Sequence, residues 1–241
     1  MLVSVHCYPA PALQNHWRGN RRRPGWPGID AVGIAKQVVV VGYKRDQVVR
    51  SLHKRKNRIS FVTQHKQLGT GHAVRAARTV LKSFRGDVLV VAGDVPLVTT
   101  RAIRGAYRTH KKDNAAVTIL SVSLDTPTGY GRIVRGEDRK VKKIVEELDA
   151  SAQERALREV NSGIYFFKAP ILFRELQKLK PNNKKKELYL TDLIESLVQK
   201  RAVVSTHCIR DQHVLKGVNT RADLAELTQI MSRGHIARLQ E

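Results

Sequence analysis

Apolar and polar positions along the chain alternate between two periods. Gln37-Val38-Val39-Val40-Val41-Gly42 is a continuous β-branched run ending in glycine, the pattern of a strand covered on both faces. Spacing turns helical from Arg45 to His53 and returns to a short buried strand at Ile59-Ser60-Phe61-Val62. Ala73, Val74, Ala76, Ala77, Val80 and Leu81 then recur on one helical face and predict a helix from Ala73 to Lys82. Asp87 to Ala92 is a second fully buried strand, followed by a helix from Arg101 to His110 and a strand from Ala115 to Leu124. Val141 to Val145 and Ile164 to Phe167 read as further strands. Helices Pro170 to Leu179 and Thr191 to Lys200, a strand Ala202 to Cys208 and a closing helix to about Leu239 complete the pattern. Strands alternating with amphipathic helices predict an α/β domain built on right-handed crossovers over a mostly parallel sheet.

Residues 1 to 35 differ in kind. Prolines, both tryptophans and Arg21-Arg22-Arg23 lie there without sustained periodicity, and Leu2 to Tyr8 is legible only as a short strand. The expected organisation is an atypical segment 1–35, a domain 36–219 and a C-terminal helix 220–241.

The chemistry concentrates in loops. Gln64-His65-Lys66-Gln67-Leu68-Gly69-Thr70-Gly71-His72 sits between a strand and a helix, and its two glycines let a ligand approach bare amide groups. The local alternative is an ordinary turn with Thr70 as helix N-cap. Asp94 follows the Asp87 to Ala92 strand at once, the place where open α/β sheets bind ligands, although a capping aspartate would read the same way. Glu146, Glu147, Asp149, Glu154 and Glu159 form an acidic concentration that reads either as repelling phosphate or as accepting hydrogen bonds from sugar hydroxyls, with Glu154 and Glu147 also readable as a solvated helix face balancing nearby lysines. Thr191 or Asp192 can cap the helix that follows them.

Composition narrows the classes. With 241 residues, 41% hydrophobic, the chain supports one sizeable domain. No run approaches the roughly 18 apolar residues of a membrane span, and Pro9 interrupts the N-terminus too early for a secretory h-region, so a cytoplasmic location is expected. Cys7 and Cys208 alone give neither a disulfide framework nor a zinc site. The net charge of +23 raises the prior for a polyanionic partner. Its scattered distribution and the absence of a basic-aromatic module favour a solvated basic surface over a dedicated nucleic-acid site.

Seven motifs in order carry a resemblance. They are Gln64 with Gln67-Leu68-Gly69-Thr70-Gly71-His72-Ala73, Gly93-Asp94-Val95-Pro96-Leu97, Thr128-Gly129-Tyr130-Gly131-Arg132-Ile133, and Ile144-Val145-Glu146-Glu147 through Asp149-Ala150. Glu159-Val160-Asn161-Ser162-Gly163-Ile164, Tyr189-Leu190-Thr191-Asp192 and Gly217-Val218-Asn219-Thr220-Arg221 follow. From about Ile29 onward the chain resembles the uridyltransferase domain of the N-acetylglucosamine-1-phosphate uridyltransferase family. The resemblance implies a Rossmann-like nucleotidyltransferase fold of the nucleotide-diphospho-sugar transferase type, a mostly parallel mixed sheet flanked by helices. It implies a magnesium-dependent reaction of UTP with N-acetylglucosamine 1-phosphate that yields UDP-N-acetylglucosamine, a peptidoglycan precursor, and pyrophosphate. By that similarity Gln64, Gly69 and Thr70 hold the uridine, and Gly131, Glu146, Asn161 and Thr191 line the sugar pocket. Asp94 and Asn219 are the implied magnesium ligands, with Asn219 also touching substrate, and no protein nucleophile is required.

The sequence departs from the family at its start. The family's glycine-rich loop of the form Leu-x-x-Gly-x-Gly-Thr-Arg-Met and the lysine of its Pro-Lys-Val segment, which hold the triphosphate, have no counterpart in residues 1 to 35. Two accounts fit: a wrong start or shifted reading frame, or a degenerate domain that binds without turnover. A non-catalytic UDP-sugar-binding domain and a basic nucleic-acid-binding protein are therefore the alternatives. The β-helical acetyltransferase part of the family's bifunctional members is expected to be absent.

Overall fold

The computed structural model describes residues 2–7, 33–42, 45–52, 59–93, 95 and 97–215. Asp94, Asn219 and the helix expected beyond Thr220 lie outside the described residues. Among the described residues nine strands form one sheet: β1 Leu2–Cys7, β2 Ile34–Val41, β3 Ile59–Thr63, β4 Asp87–Ala92, β5 Val117–Ser123, β6 Arg132–Arg135, β7 Val141–Val145, β8 Glu159–Lys168 and β9 Val204–Ile209. The order along the sheet is β3-β2-β1-β4-β8-β5-β9, and β6 pairs with β7 and with the start of β8. Strands β3, β2, β1 and β4 are mutually parallel, as are β5 and β9, whereas β8 runs antiparallel between β4 and β5.

The helices are α1 Arg45–Ser51, α2 Thr70–Ala76, α3 Arg78–Leu81, α4 Thr100–Lys112, α5 Ala152–Arg155, α6 Ala169–Glu175 and α7 Asp192–Gln199. The apolar runs Val38–Val41 and Val88–Val91 are buried, because helices cover both faces of the sheet there. On one face Val74, Ala77 and Leu81 of α2 and α3 join Leu172 and Phe173 of α6 and Leu193, Ile194 and Leu197 of α7. On the other, Val48 of α1 and Ala102, Ile103 and Ala106 of α4 pack on Val39, Leu89 and Phe166.

Three expectations are corrected. Leu2–Cys7 is the strand between β2 and β4, hydrogen-bonded to both, so the boundary expected at residue 35 cuts through the sheet. The helix expected over Ala73 to Lys82 starts at Thr70 and is broken at Ala77, whose amide bonds back to Val74 O instead of continuing the α ladder. Glu147 is not on a solvated helix face: its carboxylate lies 2.7 Å from the guanidinium of Arg132, which is 1% exposed and therefore needs a partner. Glu154, by contrast, lies on α5 as expected, where it completes the capping box of Ser151 and balances Lys143 at 2.8 Å.

Beneath α4 lies a buried polar knot. Asp87 Oδ2 accepts from Lys111 Nζ at 3.2 Å and from Tyr107 OH at 3.3 Å, and Asp87 Oδ1 lies 3.4 Å from His110 Nε2. Burial pushes the Asp87 carboxyl up, but His110 and then Lys111 more than offset this and hold it at about 2. A carboxyl depressed in the folded state contributes stability that is full above the usual carboxylate range and is lost as pH falls toward about 2. Thermal melts of Asp87→Asn across this range are expected to lose less stability with acid than wild type. Parallel curves would show that the knot is electrostatically silent.

Candidate nucleotide-sugar site

The glycine loop is built by one backbone peculiarity. Gly69 stands at the N-cap of α2 with φ 98° and ψ 175°, a conformation essentially reserved for glycine, so Thr70 is the first helical residue and not the cap. Its freed hydroxyl instead accepts from Leu190 N at 3.0 Å. Gln64 folds back over the loop, with Nε2 donating to Gly69 O at 3.2 Å and lying 3.0 Å from His72 Nδ1. Burial, then the nearby Arg75 charge, hold His72 below its ordinary pKa, which keeps Nδ1 available as an acceptor. His72 is thus the residue that orients Gln64. Its place in the loop was visible in the sequence, but its role needed the folded geometry.

A cluster around Glu146 adjoins this loop through a short bridge. The segment 188–191 runs directly from the loop to the acidic pocket: Gly71 N donates to Leu188 O at 2.8 Å, and Thr191 Oγ1 donates to Glu146 Oε1 at 3.0 Å. Thr191 occupies the cap position of α7 but makes no side-chain cap bond, because its hydroxyl is committed to Glu146. Gly131 closes against the same carboxylate, for a Cβ there would come within 3.2 Å of Glu146 Oε2. Asn161 N donates to Gly131 O at 2.8 Å.

Asn161 owes its orientation to an irregularity in β8. Leu120 pairs with Ile164 and Ser121 with Asn161, so Ser162 and Gly163 are extra residues that re-aim the strand. Asn161 Oδ1 accepts from Gly163 N at 3.1 Å, and its Nδ2 donates to Tyr165 OH at 2.6 Å. Burial, then the charge of Glu146, push the Tyr165 phenol well above its usual range, so it stays protonated. Gly131, Glu146, Asn161 and Thr191 are therefore brought together, and Gln64, Gly69 and Thr70 stand on the adjoining loop. The loop 127–131 is pinned from behind by Arg132, which donates to Tyr130 O and to Arg155 O, and by Gly129 N, which donates to Glu147 Oε2 at 3.1 Å.

The pocket is acidic at cost. Burial raises the Glu146 carboxyl, opposed by the Thr191 hydrogen bond. Burial, then Glu146, Asp149 and Glu195, push Asp192 up to about 6. A carboxyl raised in the folded state binds its proton more tightly there, so its ionisation lowers stability above about 6 and has no effect well below the usual carboxylate range. Asp192→Asn is expected to raise the thermal midpoint near neutral pH, with the gain vanishing in acid. A loss of stability at neutral pH would contradict the repulsion. Among the described residues no group of three or more His, Cys, Asp or Glu side chains could hold a metal, and no helix is long and apolar enough to cross a membrane. A cavity of about 340 Å³ between α6 and α7 is lined by Glu175, Asn182, Asp192 and Glu195, and none of the seven described substrate candidates lines it.

A mixed sheet of this order, with a glycine loop beside the Glu146, Asn161 and Thr191 cluster, has the fold of nucleotidyltransferases. The chain superposes on a putative glucose-1-phosphate thymidylyltransferase from Bacillus anthracis with a TM-score of 0.73 at 17% identity, covering 95% of each chain. It superposes on UDP-glucose pyrophosphorylase complexed with UDP-glucose with a TM-score of 0.70 at 15% identity, over 97% of this chain and 100% of that one. The chain belongs to the nucleotidyl transferase family, whose model matches residues 29–213. Curated relatives include the bifunctional protein GlmU of Geobacter metallireducens, 41% identical over 83% of this chain and 42% of the relative. That of Lactococcus lactis is 43% identical over 83% and 43%, and that of Corynebacterium aurimucosum 40% identical over 90% and 46%. The chain spans less than half the length of these relatives.

Proposed function

We propose that this chain is a uridyltransferase that joins UTP to N-acetylglucosamine 1-phosphate, releasing pyrophosphate, in the cytoplasm. The observation that carries the reading is the four-residue bridge 188–191, which couples the Gln64–His72 loop to Glu146 through Gly71 and Thr191. One side then offers a side-chain amide and exposed backbone suited to a pyrimidine edge. The other offers a carboxylate, an amide and a hydroxyl suited to hydroxyl and acetamido groups.

The chemistry asks the protein for position more than for covalent work. A phosphate oxygen of the sugar phosphate attacks the α-phosphorus of UTP in line, and the bond from that phosphorus to the bridging oxygen breaks as pyrophosphate leaves. Gln64 and Gly69 hold the nucleotide in register, while Glu146, Asn161 and Thr191 fix the sugar so that its phosphate meets the α-phosphorus. Asp94 and Asn219 are oxygen donors, the ligand chemistry magnesium takes, and are our proposed metal residues. Bound magnesium would neutralise charge on the phosphoryl oxygens.

The missing glycine-rich loop favours one second reading, a UDP-sugar-binding domain without turnover. Pyrophosphate release with UTP, magnesium and the sugar phosphate separates the two, paired with titration of UDP-N-acetylglucosamine. Turnover that is lost in EDTA and in Asp94→Ala is the expected result. Tight nucleotide-sugar binding with no pyrophosphate would replace the enzyme by the binding domain, and full activity of Asp94→Ala would refute the metal assignment.

A further inference from the structure

We infer that Asn183 is a positioning residue that clasps the uridine-side loop to the sugar-side loop, an inference that rests on the nucleotide-sugar reading of the site. Asn183 touches neither set of proposed substrate residues, although its side chain also hydrogen-bonds the Asp192 carboxyl beside Thr191. Its side chain closes a turn on itself: Nδ2 donates to Glu187 O at 2.6 Å and Oδ1 accepts from Glu187 N at 3.0 Å, while Asn183 O accepts from Lys186 N at 2.9 Å.

The closed turn has two arms. One leads to Leu188, whose amide donates to Leu68 O at 2.8 Å and whose carbonyl accepts from Gly71 N at 2.8 Å, and then to Leu190, whose amide donates to Thr70 Oγ1. The other is Lys184, whose amide lies 3.4 Å from Asp149 Oδ1 and whose ammonium donates to Leu148 O. A single side-chain amide therefore sets the span between the loop at 68–71 and the loop at 148–149, immediately past Glu146. Strain shows that the lock matters, because Lys186 is held at φ 52°, in the left-handed region that non-glycine residues avoid. Without the Asn183–Glu187 pair the turn at Lys186 loses two of the bonds that close it, and both arms lose their common anchor.

Residues that act as a clasp change the affinity for a ligand spanning both halves more than for a ligand on one half. Two measurements on the full chain test this. Hydrogen exchange without ligand should show Asn183→Ala losing protection at Gly71, Leu188 and Leu190, with strand β8 unchanged and Asn183→Asp partly restoring it through its retained acceptor for Glu187 N. UDP-N-acetylglucosamine affinity should fall about tenfold in Asn183→Ala, the effect of losing two hydrogen bonds of ordinary strength. Kinetics add a split that general loosening would not give: Asn183→Ala raises KM for both substrates, whereas Lys184→Met, which cuts one arm, raises it for the sugar phosphate alone. Unchanged protection at Gly71 and Leu188, or unchanged affinity, would overturn the clasp. A wild-type chain that fails to bind the nucleotide-sugar overturns the parent reading instead, and the ligand-free exchange still decides the geometry.

Discussion

Gly69→Ala is expected to lower the thermal midpoint by roughly 5–10 °C and to weaken UDP-N-acetylglucosamine binding more than tenfold. Two effects add. At φ 98° and ψ 175° the backbone sits where a side chain costs about 1–3 kcal/mol. A Cβ would also lie 2.7 Å from Leu188 O and 3.0 Å from Leu188 N, both backbone atoms of the bridge. Backbone cannot swing aside as a side chain tip can, so the bridge itself must move, and with it Thr191 and Glu146. Summed, this is ~2–4 kcal/mol, and a domain of this size shifts by about 2–4 °C per kcal/mol. Gly129→Ala supplies the control. Gly129 has φ 88° but nothing within 4 Å of the position a Cβ would take, so it carries strain without collision. Differential scanning calorimetry of the two variants separates the terms, and equal losses would refute the collision.

Glu146→Gln should move activity and stability in opposite directions. Losing charge-assisted hydrogen bonds to sugar hydroxyls costs about 1.5–3 kcal/mol, which is roughly a 10- to 150-fold fall in kcat/KM for the sugar phosphate. The KM for UTP should stay close to wild type, because the Gln64–Gly69 loop is untouched. The fold should hold or gain stability near neutral pH, since burial and Asp149 already oppose ionisation of Glu146 and its charge helps to raise Asp192. Steady-state kinetics beside melting curves test both halves. A variant that keeps wild-type kcat/KM would remove Glu146 from the sugar pocket.

Much of the sheet was legible because buried strands advertise themselves. Val38–Val41 and Val88–Val91 are apolar runs, β-branched except for Leu89, with no competing helical spacing, and both became interior strands. Leu2–Cys7 was harder, for six residues beside an irregular segment carry no periodic context; its place is set by pairing with β2 and β4. The antiparallel insertion of β8 was invisible for the same reason, since periodicity does not encode partner choice. In the site, the local hydrogen-bonding of individual residues was not legible from sequence. Thr70 satisfies the sequence rule for a cap, yet Gly69 takes that position and releases the hydroxyl to Leu190. Glu147 and Arg132 stand fifteen residues apart in sequence, and only the β6–β7 hairpin brings them to 2.7 Å.

The placement of β1 has a consequence for how the chain is made. β1 is synthesised before both of its partners, β2 and the much later β4, whose Asp87 lines up with Leu2. One long edge of the nascent sheet therefore stays open until Ala92 has left the ribosome. The antiparallel β8 then closes against β4 and β5 only after Lys168 emerges. Contacts between such distant segments carry a large loop-closure entropy and slow the search for the native pairing. Over that interval the open edge of β4 is a template for any other extended chain, so expression at high rate should favour aggregation over folding, and slower synthesis should recover the native fold.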